Sequence, residues 1–325
     1  MKKTKKAKIF CLKSCVAIVV ILATFLLVGC KDKKEPSPKY EFGGDVIEYG
    51  GNKYSRKKSV ETFLVLGLDK FEGQVKADSY NNDQQADFLM LFVFDNKAKT
   101  CTAIHINRDT ISDVDVLGIT GTKIYTVKQQ IALAHTYGDG GKSSGYNVAH
   151  SVSDLLMGMK VDYYLSVKMD AVPEYNDLVD GVEVEVLDDF SGIDDTLVKG
   201  EKVTLTKDNV LTYVRTRKTL EDSTNSTRMV RQQQYINALY EKTQQVIAED
   251  ESFIVDKALK TMSKYIISDT TGTRLQTLAE KFHAYEFKGI KNIDGETKRG
   301  EFIEFYPSEA SLKKIIVELF YEPKK

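Results

Sequence analysis

The stretch FLMLFVFD, residues 88–95, decides the fold, because it is apolar on both of the faces that a β-strand presents. Such a strand is typical of the centre of a sheet that is covered on both sides. The turn DNKAKT follows it, and CTAIHIN (101–107) predicts the next strand. VETFLVLGLD (60–69) predicts the strand before it. We expect these three strands to form an antiparallel meander.

The predicted meander collects charged residues at one edge of the sheet. Its first strand ends at Asp69, and the chain returns to the same edge at Asp87 after an excursion through 70–86. The third strand ends there with Arg108 and Asp109. We therefore expect three carboxylates and one guanidinium group to lie close together, which their spacing in the sequence alone does not suggest.

The remaining segments alternate between helical and extended patterns, which predicts a layered α/β domain. We predict helices over about 125–137, 146–158 and 227–247, strands at DYYLSV and VEVEVL, and a short extended segment LTYVRTR. The last part of the chain predicts two helices, two short strands (YEFKGI and EFIEFY) and a final helix over 308–320.

The charge is unevenly spread along the 325 residues. The net charge is −1, but the first 29 residues hold six lysines and no acid, which leaves 40 basic and 47 acidic residues, or −7, for the rest. Binding to a phosphate backbone needs a basic surface, so the composition argues against a nucleic-acid-binding protein.

The N-terminus has the pattern of an export signal. Lysines precede SCVAIVVILATFLLVGC, whose apolar run is short for a membrane span. Its end, LVGC, resembles the bacterial lipobox, which implies cleavage before Cys30 and lipidation of that cysteine; an uncleaved signal-anchor is the alternative. Both place residues 31–325 outside the membrane. We expect a polar spacer over 31–58 and a folded domain over 59–325, in which only Cys101 remains, so an internal disulfide is excluded.

Arginine is scarce in this lysine-rich chain, yet it recurs in three short clusters. The chain has eight arginines among 46 basic residues, and five of the eight are Arg108, Arg215, Arg217, Arg228 and Arg231. The planar guanidinium group binds phosphate oxygens in a bidentate way that an ammonium group does not. A solvated basic face explains the spacing equally well, but such a face has no need of arginine. The choice of residue therefore favours a phosphate site.

Asp69 and Asp87 predict a metal at this site. Mg²⁺ is commonly held by one or two carboxylates together with phosphate oxygens of the substrate, and Mn²⁺ is an alternative. The four histidines show no metal-binding spacing, and His105 alternates with core residues, so we expect it to be structural.

The ordered motifs resemble the LytR–CpsA–Psr family of cell-envelope proteins from about residue 60 to the C-terminus. They include LGLD, ADFLMLFVFD, IHINRDT, VDYYLSV, LVDGVEVEV and LTYVRTR, followed by the pattern D…R..RQQ. The resemblance implies an outward-facing α/β/α domain with a central mixed sheet and an apolar tunnel for a lipid. It also implies transfer of polyprenyl-pyrophosphate-linked anionic glycans, such as teichoic acid or capsule, to peptidoglycan.

Carried over by position, the resemblance assigns a role to each matching residue. It implies that Asp69 and Asp87 hold the metal, and that Arg108 and Asp109 act in catalysis, with Asp109 or Asp87 as the base. The residues implied for pyrophosphate binding are Lys123, Arg215, Arg217, Asp222, Arg228, Arg231 and Gln232.

The chain departs from the family pattern at two positions. The family has Arg-Ser-Asp before the second strand, and this chain has Gln85-Ala86-Asp87, so one phosphate-contacting charge is missing. Asn107 replaces a proline before Arg108-Asp109. Two alternatives to glycan transfer therefore stay open, namely a binding protein for polyprenyl phosphates and a pyrophosphatase that uses water.

Overall fold

The computed structural model describes residues 42–68, 82–217 and 225–324. In chain order, its strands are β1 (Val46–Tyr49), β2 (Asn52–Arg56), β3 (Val60–Leu68), β4 (Ala86–Asp95), β5 (Thr100–Ile106), β6 (Ile111–Leu117), β7 (Lys123–Gln130), β8 (Tyr163–Lys168), β9 (Val182–Glu185), β10 (Lys202–Leu205), β11 (Ile266–Ser268), β12 (Glu286–Asn292), β13 (Gly295–Arg299), β14 (Ile303–Pro307) and β15 (Tyr321–Pro323).

The described residues form fewer α-helices than strands, and irregular helical segments lie between the helices. The helices are α1 (Lys142–Leu155), α2 (Ala171–Leu178), α3 (Val210–Arg215), α4 (Asn225–Glu249), α5 (Gly272–Ala284) and α6 (Glu309–Phe320). A 3-10 turn spans Ile131–Thr136, and one mixed helical run is made of Phe253–Leu259, Lys260–Met262 and Ser263–Tyr265. Within the described ranges no helix is both long and apolar enough to cross a bilayer.

The central sheet has six strands in the order β11-β8-β3-β4-β5-β12, and the predicted meander forms its middle. β4 pairs antiparallel with β3, with Leu64 opposite Leu91, and with β5, with Leu89 opposite Ile106. β8 and β12 pair parallel with β3 and β5, so the sheet is mixed. The turn after β4 is fixed by Asp95, whose carboxylate accepts hydrogen bonds from the backbone N–H groups of Lys97 and Ala98 at 3.0 Å.

Helices cover both faces of this sheet, as the alternation along its strands requires. Leu64 and Leu66 of β3 pack in one core with Val148 and Val152 of α1 and with Leu312 and Ile316 of α6. The intervening residues Phe63 and Val65 face the other side, where helices α2, α4 and α5 lie. A second core is built by α3, α4 and the hairpin of β9 and β10. The layered α/β/α prediction is confirmed.

Three local predictions were wrong. Residues 123–130 form strand β7 instead of the start of a helix, because they pair with β6 over the whole hairpin. LTYVRTR is mostly helical: Val210, Tyr213 and Val214 are buried at helical spacing in α3. The predicted spacer contains β1 and β2, which pair with each other and with β15, and Ile47 of β1 is fully buried.

Candidate functional site at one end of the central sheet

The Arg108 guanidinium group is enclosed by acceptors where β4 begins and β5 ends. It donates to the carboxylate of Asp87 and to the side-chain oxygen of Gln85. Its Nε lies 3.3 Å from Oδ1 of Asp109. The meander brings these residues together as predicted, because the end of one antiparallel strand lies beside the start of the next.

Arg228 reaches the same carboxylate from helix α4. Its Nη1 lies 3.9 Å from Oδ2 of Asp87, and its Nη2 donates to the Asp87 carbonyl at 3.3 Å. The side chain is buried, and burial lowers the pKa of Arg228 to about 10, against the charge of Asp87 that raises it. At neutral pH Arg228 is therefore still a cation, held in a largely enclosed position.

Asp109 is the most enclosed carboxylate of the group. Its Oδ2 lies 3.7 Å from Nη1 of Arg217 and has no hydrogen-bond partner. Burial raises the pKa of Asp109, against the charges of Arg108 and Arg217 that lower it. An enclosed carboxylate with one unpartnered oxygen and a raised pKa is suited to accepting a proton.

Arg231 and Gln232 turn inward instead of toward this group. Arg231 is fully buried; it donates to the carbonyl of Tyr213 at 3.0 Å and also to that of Thr216. Gln232 donates to the carbonyl of Val214 at 3.1 Å. Both side chains therefore hold the end of α3 and the segment after it, where Arg215 and Arg217 lie.

Lys123 lies far from the arginines. It begins β7 and pairs with Asp115 of β6, with an Nζ–Oδ1 distance of 2.8 Å. Leu117 lies opposite Lys123 at one end of this hairpin, while Ile111 lies opposite Gln130 at the other, next to Asp109 and Thr110. The six residue steps from Ile111 to Leu117 span about 20 Å. The structure therefore does not bring Lys123 into the arginine group.

Three of the predicted residues have no described position in the structure, and a fourth, Arg215, lies next to the site. Asp69, Asp222 and Cys30 lie outside the described residues. Arg215 is the last residue of α3 and is half-buried.

An apolar cavity lies under the polar group, on the α4 side of the sheet. Its main part has a volume of about 390 Å³ and a smaller part about 170 Å³. The two share the lining residues Val65, Val167, Val172, Tyr235 and Leu239. The smaller part is also lined by Gly67, Phe88 and Gln232, near the edge of the sheet that carries Asp87. The apolar space therefore extends toward the polar site.

The oxygen ligands of the site are of the kind that Mg²⁺ prefers. Asp87 and Asp109 supply carboxylates at the sheet edge, and Oδ2 of Asp109 is buried without a hydrogen-bond partner. Among the described residues, no three His, Cys, Asp or Glu side chains form a metal-binding cluster. A metal here would therefore depend on phosphate oxygens, on Asp69 or on water for its remaining ligands.

Two asparagines of the site were not predicted to act in it. Asn107 accepts hydrogen bonds through its Oδ1 from the backbone of Asp109 at 3.0 Å and from the side chain of Asn225 at 2.8 Å. The sequence does carry a signal for the first of these bonds, because asparagine at the first position of a turn commonly accepts from the backbone two residues later. It carries none for the second, since the two residues are 118 positions apart.

His105 is structural, as predicted. It is buried on β5, its ring packs on that of Phe88 at 5.0 Å, and its Nδ1 lies 3.0 Å from the side-chain nitrogen of Gln233 on α4. Cys101 is likewise buried, and its thiol is free.

The fold and the site define a layered α/β protein with an arginine–carboxylate group beside an apolar cavity. The chain belongs to the LytR_cpsA_psr family, whose profile matches residues 30–319. An uncharacterized protein of Staphylococcus aureus is 24% identical over 306 residues, which cover 92% of this chain and 71% of that protein.

Two solved structures show the same fold. TagT bound to LI-WTA is 18% identical, with a TM-score of 0.59, over 81% of this chain and 90% of that one. Bacillus subtilis TagV is 24% identical, with a TM-score of 0.57, over 81% of this chain and 96% of that one. At these identities the similarity concerns the fold.

Proposed function

We propose that this protein transfers an anionic glycan, linked to a polyprenyl lipid through pyrophosphate, onto peptidoglycan. The observation that carries the proposal is the juxtaposition of Arg108, Arg217 and Arg228 with an apolar cavity. Membership of the LytR_cpsA_psr family supports glycan transfer to peptidoglycan in general. The structure of TagT with LI-WTA supports a glycan of the wall teichoic acid type. An amphiphile with a pyrophosphate head matches the two halves of the site, one cationic and one apolar.

In this mechanism the arginines bind the pyrophosphate and stabilise the negative charge that develops as the lipid phosphate leaves. A hydroxyl group of the acceptor attacks the phosphorus that carries the glycan, and its proton passes to a carboxylate. Asp109 is the better candidate base, because its Oδ2 has no hydrogen-bond partner and its pKa is raised by burial. Asp87, in contrast, is engaged by Arg108.

Asp69 and Asp87 are the residues proposed to hold Mg²⁺ or Mn²⁺, which would neutralise charge on the phosphates. Arg108 binds Asp87 directly, so this arginine also orients the carboxylate that would serve the metal. The lipid tail is proposed to occupy the apolar cavity, where burial of its methyl and methylene groups supplies affinity that the polar site does not.

We further propose that the domain faces outward from the cell membrane, attached through Cys30 or an uncleaved signal-anchor. This orientation brings the cavity to the lipid substrate and the polar site to peptidoglycan. Replacing Cys30 with Ala and labelling with a fatty acid separates the two attachments, because loss of label requires the lipoprotein form.

A second candidate function is binding of polyprenyl phosphates without turnover. The specific observation in its favour is Gln85, which stands where the family has an arginine and which accepts a hydrogen bond from Arg108. The site therefore has one cation fewer than the family pattern.

The deciding experiment mixes the full-length protein in detergent with a lipid-pyrophosphate-linked teichoic acid precursor, peptidoglycan and Mg²⁺. Transfer predicts glycan on the peptidoglycan and release of lipid phosphate. Binding without release supports the second candidate. Release of glycan phosphate into water, with or without peptidoglycan, identifies a pyrophosphatase instead.

A further inference from the structure

Asn107 holds the turn that carries Arg108 and Asp109 through both its own backbone carbonyl and its own side chain. The Asn107 carbonyl accepts from the Thr110 N–H at 3.0 Å, which closes the turn, and from the Thr110 hydroxyl at 2.6 Å. The Asn107 side-chain oxygen accepts from the Asp109 N–H at 3.0 Å. A proline at this position would keep the carbonyl bonds and lose the side-chain bond.

The same side-chain oxygen reaches across to helix α4. It accepts a second hydrogen bond from Nδ2 of Asn225 at 2.8 Å, and Oδ1 of Asn225 in turn accepts from Nε of Arg228 at 2.9 Å. These side chains are buried, with exposed fractions of 7% for Asn107, 3% for Asn225 and 5% for Arg228. Buried amides are costly unless they are hydrogen-bonded, so this arrangement is strongly constrained.

Both ends of this chain of bonds finish at Asp87: Arg228 donates to its backbone carbonyl and lies near its carboxylate, and Arg108 donates to its carboxylate. Arg228 contacts Asp87 through Nη2 and Nη1, while its Nε is fixed by Asn225. Arg108 contacts Asp87 from the turn that Asn107 holds. Two arginines from distant parts of the chain thus meet at Asp87, and the Asn225–Asn107 hydrogen bond joins the side chain of Arg228 to the turn that carries Arg108.

We propose that Asn107 and Asn225 form a buried relay that couples the Arg108–Asp109 turn to Arg228 and sets the spacing of these arginines for a pyrophosphate group. Both are positioning residues, because they act through the arginines. The inference rests on the proposed function for the identity of the ligand, whereas the coupling itself rests on the hydrogen bonds alone.

The test replaces Asn107 and Asn225 with Leu, singly and together, and measures binding of inorganic pyrophosphate by calorimetry. Each single change removes two of these buried hydrogen bonds, and we expect pyrophosphate binding to weaken by roughly tenfold because the arginines lose their fixed positions. The double variant should bind about as well as the weaker single variant, because either change alone already interrupts the same chain of hydrogen bonds. Asn176→Leu is the matched control: Asn176 is also fully buried and hydrogen-bonded, to Leu205 and Tyr235, but in the second core. It should cost stability and leave pyrophosphate binding unchanged.

Nuclear magnetic resonance supplies a readout that does not depend on the ligand. The Arg228 Nε–H signal, assigned by its loss in Arg228→Lys, should shift in Asn107→Leu although Asn107 does not touch Arg228, and should stay in place in Asn176→Leu. An unshifted signal, or additive effects on pyrophosphate affinity, overturns the relay. If the wild type binds no pyrophosphate while the signal shifts as expected, the relay stands and the proposed function fails.

Discussion

Arg231 of α4 and Asp188 face each other in the second core, with 2.9 Å between Nε and Oδ2. The guanidinium plane also packs near the rings of Phe190 and Tyr213, with 5.3 and 5.9 Å to their centroids. Arg231 is fully buried among these groups. Its contribution is to fix the carbonyls of the segment from which Arg217 extends.

Arg231→Lys is therefore expected to destabilise the protein, because lysine keeps the charge and loses the planar fork. Losing a charged hydrogen bond to one of the Tyr213 and Thr216 carbonyls costs about 1.5–3 kcal/mol. Urea unfolding of the purified domain measures this loss. Arg299→Lys on the exposed strand β13 is the control and should lose much less stability, because interactions of exposed charges are weak. An Arg231→Lys variant as stable as the control would contradict a structural role.

Arg108→Lys is expected to impair function with little loss of fold. A lysine carries its three N–H donors on a single nitrogen, so it cannot span acceptors on Asp87, Gln85 and a phosphate as the planar guanidinium fork does. The lost charged hydrogen bond should cost about 1.5–3 kcal/mol, or roughly ten- to hundred-fold in binding or turnover. Calorimetry with pyrophosphate and the glycan-transfer assay both measure it. Wild-type values in Arg108→Lys would show that charge alone is sufficient at this position.

Much of this site could be predicted from the sequence, and the physical reason is the meander. Apolar runs fix which strands pair, and pairing fixes that Asp87 and Arg108 meet. What the sequence could not provide is the acceptor of each arginine. The guanidinium fork can donate to phosphate oxygens and to backbone carbonyls, so the sequence does not distinguish Arg228, which lies in the site, from Arg231, which supports it.

Lys123 illustrates a second limit. Its role was implied by the resemblance, in which the matching lysine precedes the first helix, but here residues 123–130 pair with β6 as a strand, which carries Lys123 to the far end of a hairpin. Such pairing is a long-range effect that local periodicity does not report. The helix α3 was missed for a different reason: its six residues are too few to show a clear helical pattern in the sequence.

Blocking the apolar cavity is expected to separate lipid binding from phosphate binding. Val65 of β3 lines both parts of the cavity. Val65→Phe places a ring in that space and should weaken binding of a polyprenyl phosphate by at least about tenfold, because part of the tail can no longer be buried. Binding of inorganic pyrophosphate should be unchanged, and this comparison within one variant is the control. Equal affinity of wild type and variant for the lipid would mean that the tail lies elsewhere.

His105 is expected to make the fold sensitive to acid. Burial, reinforced by the charge of Arg228, lowers the pKa of His105 to about 3. In the unfolded chain its pKa is near 6.5, so the unfolded state binds more protons below that pH. The contribution of neutral His105 to the free energy of unfolding is therefore fully present above pH 6.5 and is lost progressively as the pH falls toward 3.

His105→Gln should make the free energy of unfolding less dependent on pH between 6.5 and 4. Urea titrations at several pH values measure this slope. The remaining slope should come partly from His135, whose pKa burial also lowers, to about 4. A His105→Gln variant with an unchanged slope would mean that the ring is solvated in solution.

Gln85→Arg tests whether the missing cation limits this protein or redirects it. The wild-type Gln85 oxygen accepts from Arg108, so the substitution removes one restraint on Arg108 and adds a further guanidinium group to the site. If the phosphate site lacks only a contact, both pyrophosphate affinity and glycan transfer should rise, by roughly tenfold for one charged hydrogen bond. Gln85→Lys adds the charge without the fork and should give a smaller gain, whereas Gln85→Glu keeps an acceptor for Arg108 and should weaken binding through its negative charge. Suppose that Gln85→Arg binds pyrophosphate more tightly but transfers less glycan. The wild-type pair of Gln85 and Arg108 would then be adapted to a different head group, and the transfer assay should be repeated with other lipid-linked phosphates as donors.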